Sequence, residues 1–64
     1  MAEELQELAK SIAVGLRQAE ELARQGKIDE AKKLYRDLKK KALEKGLYRG
    51  FVGLFRKVER LISG

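Results

Sequence analysis

Two glycines, Gly26 and Gly46, cut this chain into three blocks, and within each block apolar residues recur at steps of three and four. That spacing puts them on one face of an α-helix with 3.6 residues per turn. Leu5, Leu8, Ile12, Leu16, Ala19 and Leu22 form the first stripe. Ala31, Leu34, Tyr35, Leu38 and Ala42 form the second, and Leu47, Phe51, Leu54, Val58 and Leu61 the third. A glycine just past a periodic run is a common helix stop, because it accepts the left-handed backbone that closes the last turn. Asp29 and Glu30 open the second helix, and Lys40, Lys41 and Lys45 close it, matching the helix dipole at both ends. The spacing predicts helices over 3–25, 28–45 and 47–62, with Ser63 and Gly64 as a tail. Connections of two to three residues make successive helices antiparallel neighbours. The expected fold is all-α, a compact up-down-up three-helix bundle in which residues 1–64 form one domain.

A chain of 64 residues buries only about 60% of its unfolded surface, so its core is marginal. Small folds usually lean on a disulfide, a metal or good helix packing. This one has no Cys and no His, which leaves helix packing. The same absences weigh against catalysis. Ser11 and Ser63 are the only hydroxyl nucleophiles outside the tyrosines, and neither has an imidazole or thiol to work with. The carboxylates sit beside Lys and Arg, and Glu20 and Glu21 point about 100° apart, so no metal ligand set forms. The sequence therefore predicts no enzyme, no cofactor and no metal. The acidic start, Met1-Ala2-Glu3-Glu4, is not expected to be a signal peptide. No apolar run approaches the roughly 18 residues of a membrane span, so a soluble protein is expected, with no compartment indicated.

The net charge of +5 is unevenly spread. Residues 1–30 carry four basic and seven acidic side chains, whereas residues 31–64 carry eleven basic and three acidic ones. Charge-dipole matching and solubility account for part of this, and an acidic partner surface is the functional reading.

Two stretches break the helix-former vocabulary of Ala, Leu, Glu, Lys, Arg and Gln. One is 10–18, which contains Ser11, Val14 and Gly15; the other is 46–55, with Tyr48, Gly50, Val52, Gly53 and Phe55. Val14 points away from the core among Glu7, Lys10, Gln18 and Glu21. Positions 48, 52, 55, 59 and 62 make a second stripe beside the core stripe of the third helix. At about 1.5 Å per residue, residues 50–53 return to the level of Val14. In one hand of the bundle the Ser11/Val14 flank meets the Tyr48/Val52 flank across the groove between helices one and three. In the other hand Ala9 and Ala13 face Gly50 and Gly53. In the first case Val14, Tyr48, Val52 and Phe55 form an apolar patch rimmed by Arg17, Gln18, Arg49 and Arg56, the pattern of an interaction site. The candidate protein-binding residues are thus Ser11, Val14, Gln18, Tyr48, Arg49, Val52, Phe55 and Arg56. Each mid-helix glycine costs about 1 kcal/mol against Ala, so Gly15, Gly50 and Gly53 need either a packing reason or a functional one.

Gly26, Ala31 and Tyr35, with Ala19 and Leu22 before them, are locally similar to the turn and second helix of tetratricopeptide repeats. The run Glu30-Ala31 to Leu34-Tyr35 is similar to one in microtubule-interacting-and-transport domains, which bind partner helices in grooves. Over its whole length the chain resembles de novo designed three-helix miniprotein binders in length, in vocabulary, in glycine-ended helices and in lacking Cys, His, Trp and Pro. That resemblance implies a rigid helical face presented to a target protein by a chain that is a monomer on its own.

The leading functional expectation is therefore target-protein binding through helices one and three. A natural groove-binding adaptor of the microtubule-interacting-and-transport type is the alternative. Residues 46–64 alone also read as a basic amphipathic helix of the membrane-surface kind, which would require that helix to leave the bundle. Lys32, Lys33, Arg36, Lys39 and Lys40 form a basic stripe, but Asp29, Asp37 and Glu44 interrupt it and no nucleic-acid motif accompanies it, so no nucleic-acid partner is expected.

Overall fold

The computed structural model describes residues 2–63 and contains three helices: α1 (Ala2–Arg24), α2 (Ile28–Glu44) and α3 (Tyr48–Ile62). Each packs against the other two, giving a three-helix bundle of 37 × 16 × 15 Å. The expected boundaries hold to within about a residue at each end. Gly64 of the expected tail lies outside the described residues. Ser63 closes α3 by donating its backbone N–H (2.9 Å) and its hydroxyl (2.6 Å) to the Glu59 carbonyl.

The two helix stops have the same geometry. Gly26 (φ +85°) and Gly46 (φ +69°) lie in the left-handed region. The Lys27 N–H donates to the Leu22 carbonyl at 2.8 Å and Gly26 to Ala23 at 3.1 Å. Leu47 to Ala42 (2.8 Å) and Gly46 to Leu43 (3.3 Å) repeat the pattern. These pairs satisfy carbonyls that a helix end leaves open, and only glycine takes that φ without strain.

Ile12, Leu16 and Ala19 of α1, Ala31, Tyr35, Leu38 and Ala42 of α2, and Phe55 and Val58 of α3 are buried. Three expectations need correction. Phe55, predicted as a surface anchor, is 0% exposed, whereas Leu54, predicted as core, is 42% exposed. Positions 48, 55 and 62, with 51 and 58, make the inward stripe, because the Phe55 ring fills the centre between two tyrosines. Tyr35 lies edge-on to it at 5.6 Å and Tyr48 tilted at 5.0 Å. Such ring pairs add to the area they bury. Leu5 is also not core but 47% exposed. α1 has 23 residues against 17 and 15, so its first turns run past the ends of its neighbours.

Gly15 has a packing reason. A Cβ there would lie 2.6 and 2.8 Å from the two Leu38 methyls, so the glycine lets α1 and α2 close together. Gly15→Ala should therefore gain nothing from the better helix former. Overpacking costs roughly 1–3 kcal/mol and offsets the ~1 kcal/mol propensity gain. Urea unfolding should show an unchanged or lowered midpoint.

Candidate protein-binding face

The predicted site residues separate into two groups on either side of α2. Ser11, Val14 and Gln18 are exposed on α1 and line an open groove of about 390 Å³ with Leu34, Leu38 and Lys41 of α2. The Ser11 flank thus faces α2, so the bundle has the hand in which it does not meet the Tyr48/Val52 flank. Tyr48 and Val52 are half-buried, and Arg49 and Arg56 are exposed. Tyr48 and Arg49 border a depression of about 260 Å³ with Leu43 at the foot of α2 and α3. The expected patch of Val14, Tyr48, Val52 and Phe55 is accordingly not one surface, and Phe55 is not on the surface at all.

A different set comes together on the outside of α1 and α3. The Lys57 ammonium meets the Glu20 carboxylate at 3.3 Å, which fixes the register of these two helices. Both run in the same direction, so stepping back seven residues from each sets Gly50 about level with Ala13. At about 100° per residue, Gly50, Leu54 and Lys57 share the α1-facing flank of α3, with Gly53 next outward. Ala13, Arg17 and Glu20 share the corresponding flank of α1. Gly50, Gly53 and Leu54 are exposed. A Cβ on Gly50 or on Gly53 would meet nothing within 4 Å. Unlike Gly15, these glycines make room for nothing inside the molecule. Leu54 is the large exposed side chain of this face. Arg17 and Lys57 are the cations on its two flanks, and Glu20 is tied up by Lys57 and by Arg24 at 2.7 Å. The sequence marks both glycines as unusual, but the anchors it suggests are Val14, Tyr48, Val52 and Phe55. The available signal was their cost in an otherwise helix-forming segment.

The seam between α2 and α3 has its own chemistry. The Lys39 ammonium stands 5.8 Å from the ring centres of both Tyr35 and Tyr48 and 4.0 Å from the Glu59 carboxylate. Tyr35 is 7% exposed, and its hydroxyl has no hydrogen-bond partner of good geometry among the described residues. Burial first, and the nearby Glu59 carboxylate second, hold its phenol well above the ordinary tyrosine value. The folded state thus favours the neutral phenol. The stability this contributes is complete below the unfolded value of about 10 and is lost as pH climbs past it. Tyr35→Phe removes an unpaired buried hydroxyl and should raise stability by about 1 kcal/mol at neutral pH. The same substitution should flatten the alkaline fall of the urea midpoint, which a pH series of unfolding curves on both proteins reads directly.

Among the described residues no group of three or more Asp and Glu side chains is placed to hold a metal ion. No helix is long and apolar enough to cross a membrane. Comparison with protein-family models, with curated proteins and with solved structures finds no match.

Proposed function

We propose that this chain is a protein-binding module, not an enzyme, which presents the rigid outer face of α1 and α3 to an acidic surface on a partner protein. One observation carries the reading. Gly53 costs about 1 kcal/mol in the interior of α3 and Gly50 less as its third residue, and no neighbour among the described residues needs the space they leave. Local rules broken without internal compensation mark the places where a protein meets something else. A glycine pair beside an exposed Leu54 lets a partner backbone approach closely while the leucine enters a pocket opposite. Arg17 and Lys57 on the flanks of this face, within a chain of net charge +5, give the preference for acidic partners. As the resemblance of the sequence to designed three-helix binders implies, the chain is taken to be monomeric until it meets its target. The membrane-surface alternative would require α3 to leave the bundle and bring Phe55 and Val58 into water.

The test uses two charge-altered baits beside the wild type. Gly53→Glu/Leu54→Glu alters the α1–α3 face, and Lys33→Glu/Lys40→Glu alters the exposed side of α2. A partner captured by the wild type should be lost with the first and kept with the second. Loss with the α2 variant and retention with the α1–α3 variant would overturn the assignment.

A further inference from the structure

The α2–α3 seam opens towards the C-terminal end of α3 into a hollow of about 620 Å³, within the usual size of small-molecule sites. Lys32, Arg36 and Lys39 line it from α2, spaced so that one helix flank carries all three, and Ile62 lines it from α3. Glu59 is the single acid in the wall, and Lys39 already stands at 4.0 Å from it. Lys32 and Arg36 have no ion pair among the described residues. Tyr35, more than nine-tenths buried, lines the same hollow and ends in the hydroxyl that lacks a partner.

These features ask for one kind of ligand. A buried hydroxyl with no hydrogen bond of good geometry, beside the single Glu59 carboxylate, has room for a further acceptor, because leaving it poorly paired is costly. Two unpaired cations call for that acceptor to be anionic, and the planar fork of Arg36 matches a carboxylate in a bidentate pairing. The Tyr35 ring and Ile62 call for an apolar body attached to it. We propose that this hollow is a binding site for an organic carboxylate with an aromatic or aliphatic body. Its carboxylate is held by Arg36, Lys32 and the Tyr35 hydroxyl, and its body lies against Ile62. The site lies across α2 from the groove that holds Val14 and does not depend on the α1–α3 face. The carboxylate can belong to a free small acid or to the acidic side chain of a peptide.

Amide NMR titration of the intact protein with benzoate tests this, with benzyl alcohol as the neutral probe and an acetylated glutamyl-phenylalanine peptide as the second source. Benzoate should give saturable shifts centred on Tyr35, Arg36, Ile62 and Ser63, and benzyl alcohol should give much weaker ones. Shifts at the same amides with the peptide would extend the site to acidic segments, and their absence would confine it to small acids. Tyr35→Phe and Arg36→Gln each remove one contact to the anion, and each should weaken benzoate roughly tenfold. Neither substitution removes a packing group, so both proteins should remain folded. Three results overturn the proposal: no saturable benzoate shift, equal binding of benzyl alcohol, or undiminished binding by Tyr35→Phe.

Discussion

Phe55→Ala should cost about 3–5 kcal/mol and leave the chain largely unfolded at room temperature. The ring is 0% exposed and is the largest fully buried side chain of the bundle. It contacts Tyr35 edge-on and Tyr48 in a tilted stack, so one truncation opens a cavity touching α2 and α3 together. A domain of this length holds roughly 3–10 kcal/mol in total, which makes the loss comparable to the whole. No disulfide, and among the described residues no metal cluster, stands in reserve. The adjacent substitution gives the contrast. Leu54→Ala removes a half-exposed side chain and should cost about 1 kcal/mol or less. Far-UV circular dichroism with urea titration separates the two. Equal costs at 54 and 55 would mean that the inward stripe of α3 is not the one described.

Gly50→Ala/Gly53→Ala should do the opposite and raise stability by about 1–2 kcal/mol. Gly50 is the third residue of α3 and Gly53 lies inside it, both are exposed, and the added methyls meet nothing within 4 Å. Alanine also narrows the unfolded ensemble, which is part of the same gain. For a chain this small, that corresponds to a rise in Tm of roughly 4 °C or more. Gly15→Ala is the internal control, since there the new methyl would strike Leu38. Three glycines in helix interiors thus fall into two kinds, one made necessary by a neighbour and two not. Differential scanning calorimetry of the three variants would show that division as a difference in sign or size.

Much of the fold was legible because every level of the sequence agreed. Steps of three and four and glycine stops, with acidic starts on α1 and α2, mark three helices with nearly correct ends. The stripes of α1 and α2 were also readable from Ile12 to Ala19 and from Ala31 to Ala42, since polar residues bound them on both sides. α3 was less legible because apolar residues cover more than half of its circumference. The patterns 51, 54, 58, 61 and 48, 55, 62 are both helical, and periodicity alone does not rank them. Ring size decided it: Phe55 reaches Tyr35 and Tyr48 at once, and Leu54 does not. The hand of the bundle was the other gap. Short loops force antiparallel neighbours without choosing which flank of α1 faces α2. The Gly15–Leu38 contact makes that choice, and it is a three-dimensional fit between residues 23 positions apart. Once it placed Ser11 and Val14 beside α2, the anchors expected at Tyr48 and Phe55 separated from them. What remained on the α1–α3 side was Gly50, Gly53 and Leu54.

The most direct test is to measure unfolding and partner binding on one protein, the Gly50→Ala/Gly53→Ala variant, with the partner that the wild type captures. If the glycines serve a close-approaching partner, stability rises by about 1–2 kcal/mol while affinity falls roughly tenfold or more, as expected when function rather than packing keeps a destabilising residue. A variant that gains stability and binds as tightly as the wild type would contradict the account, as would one that loses stability.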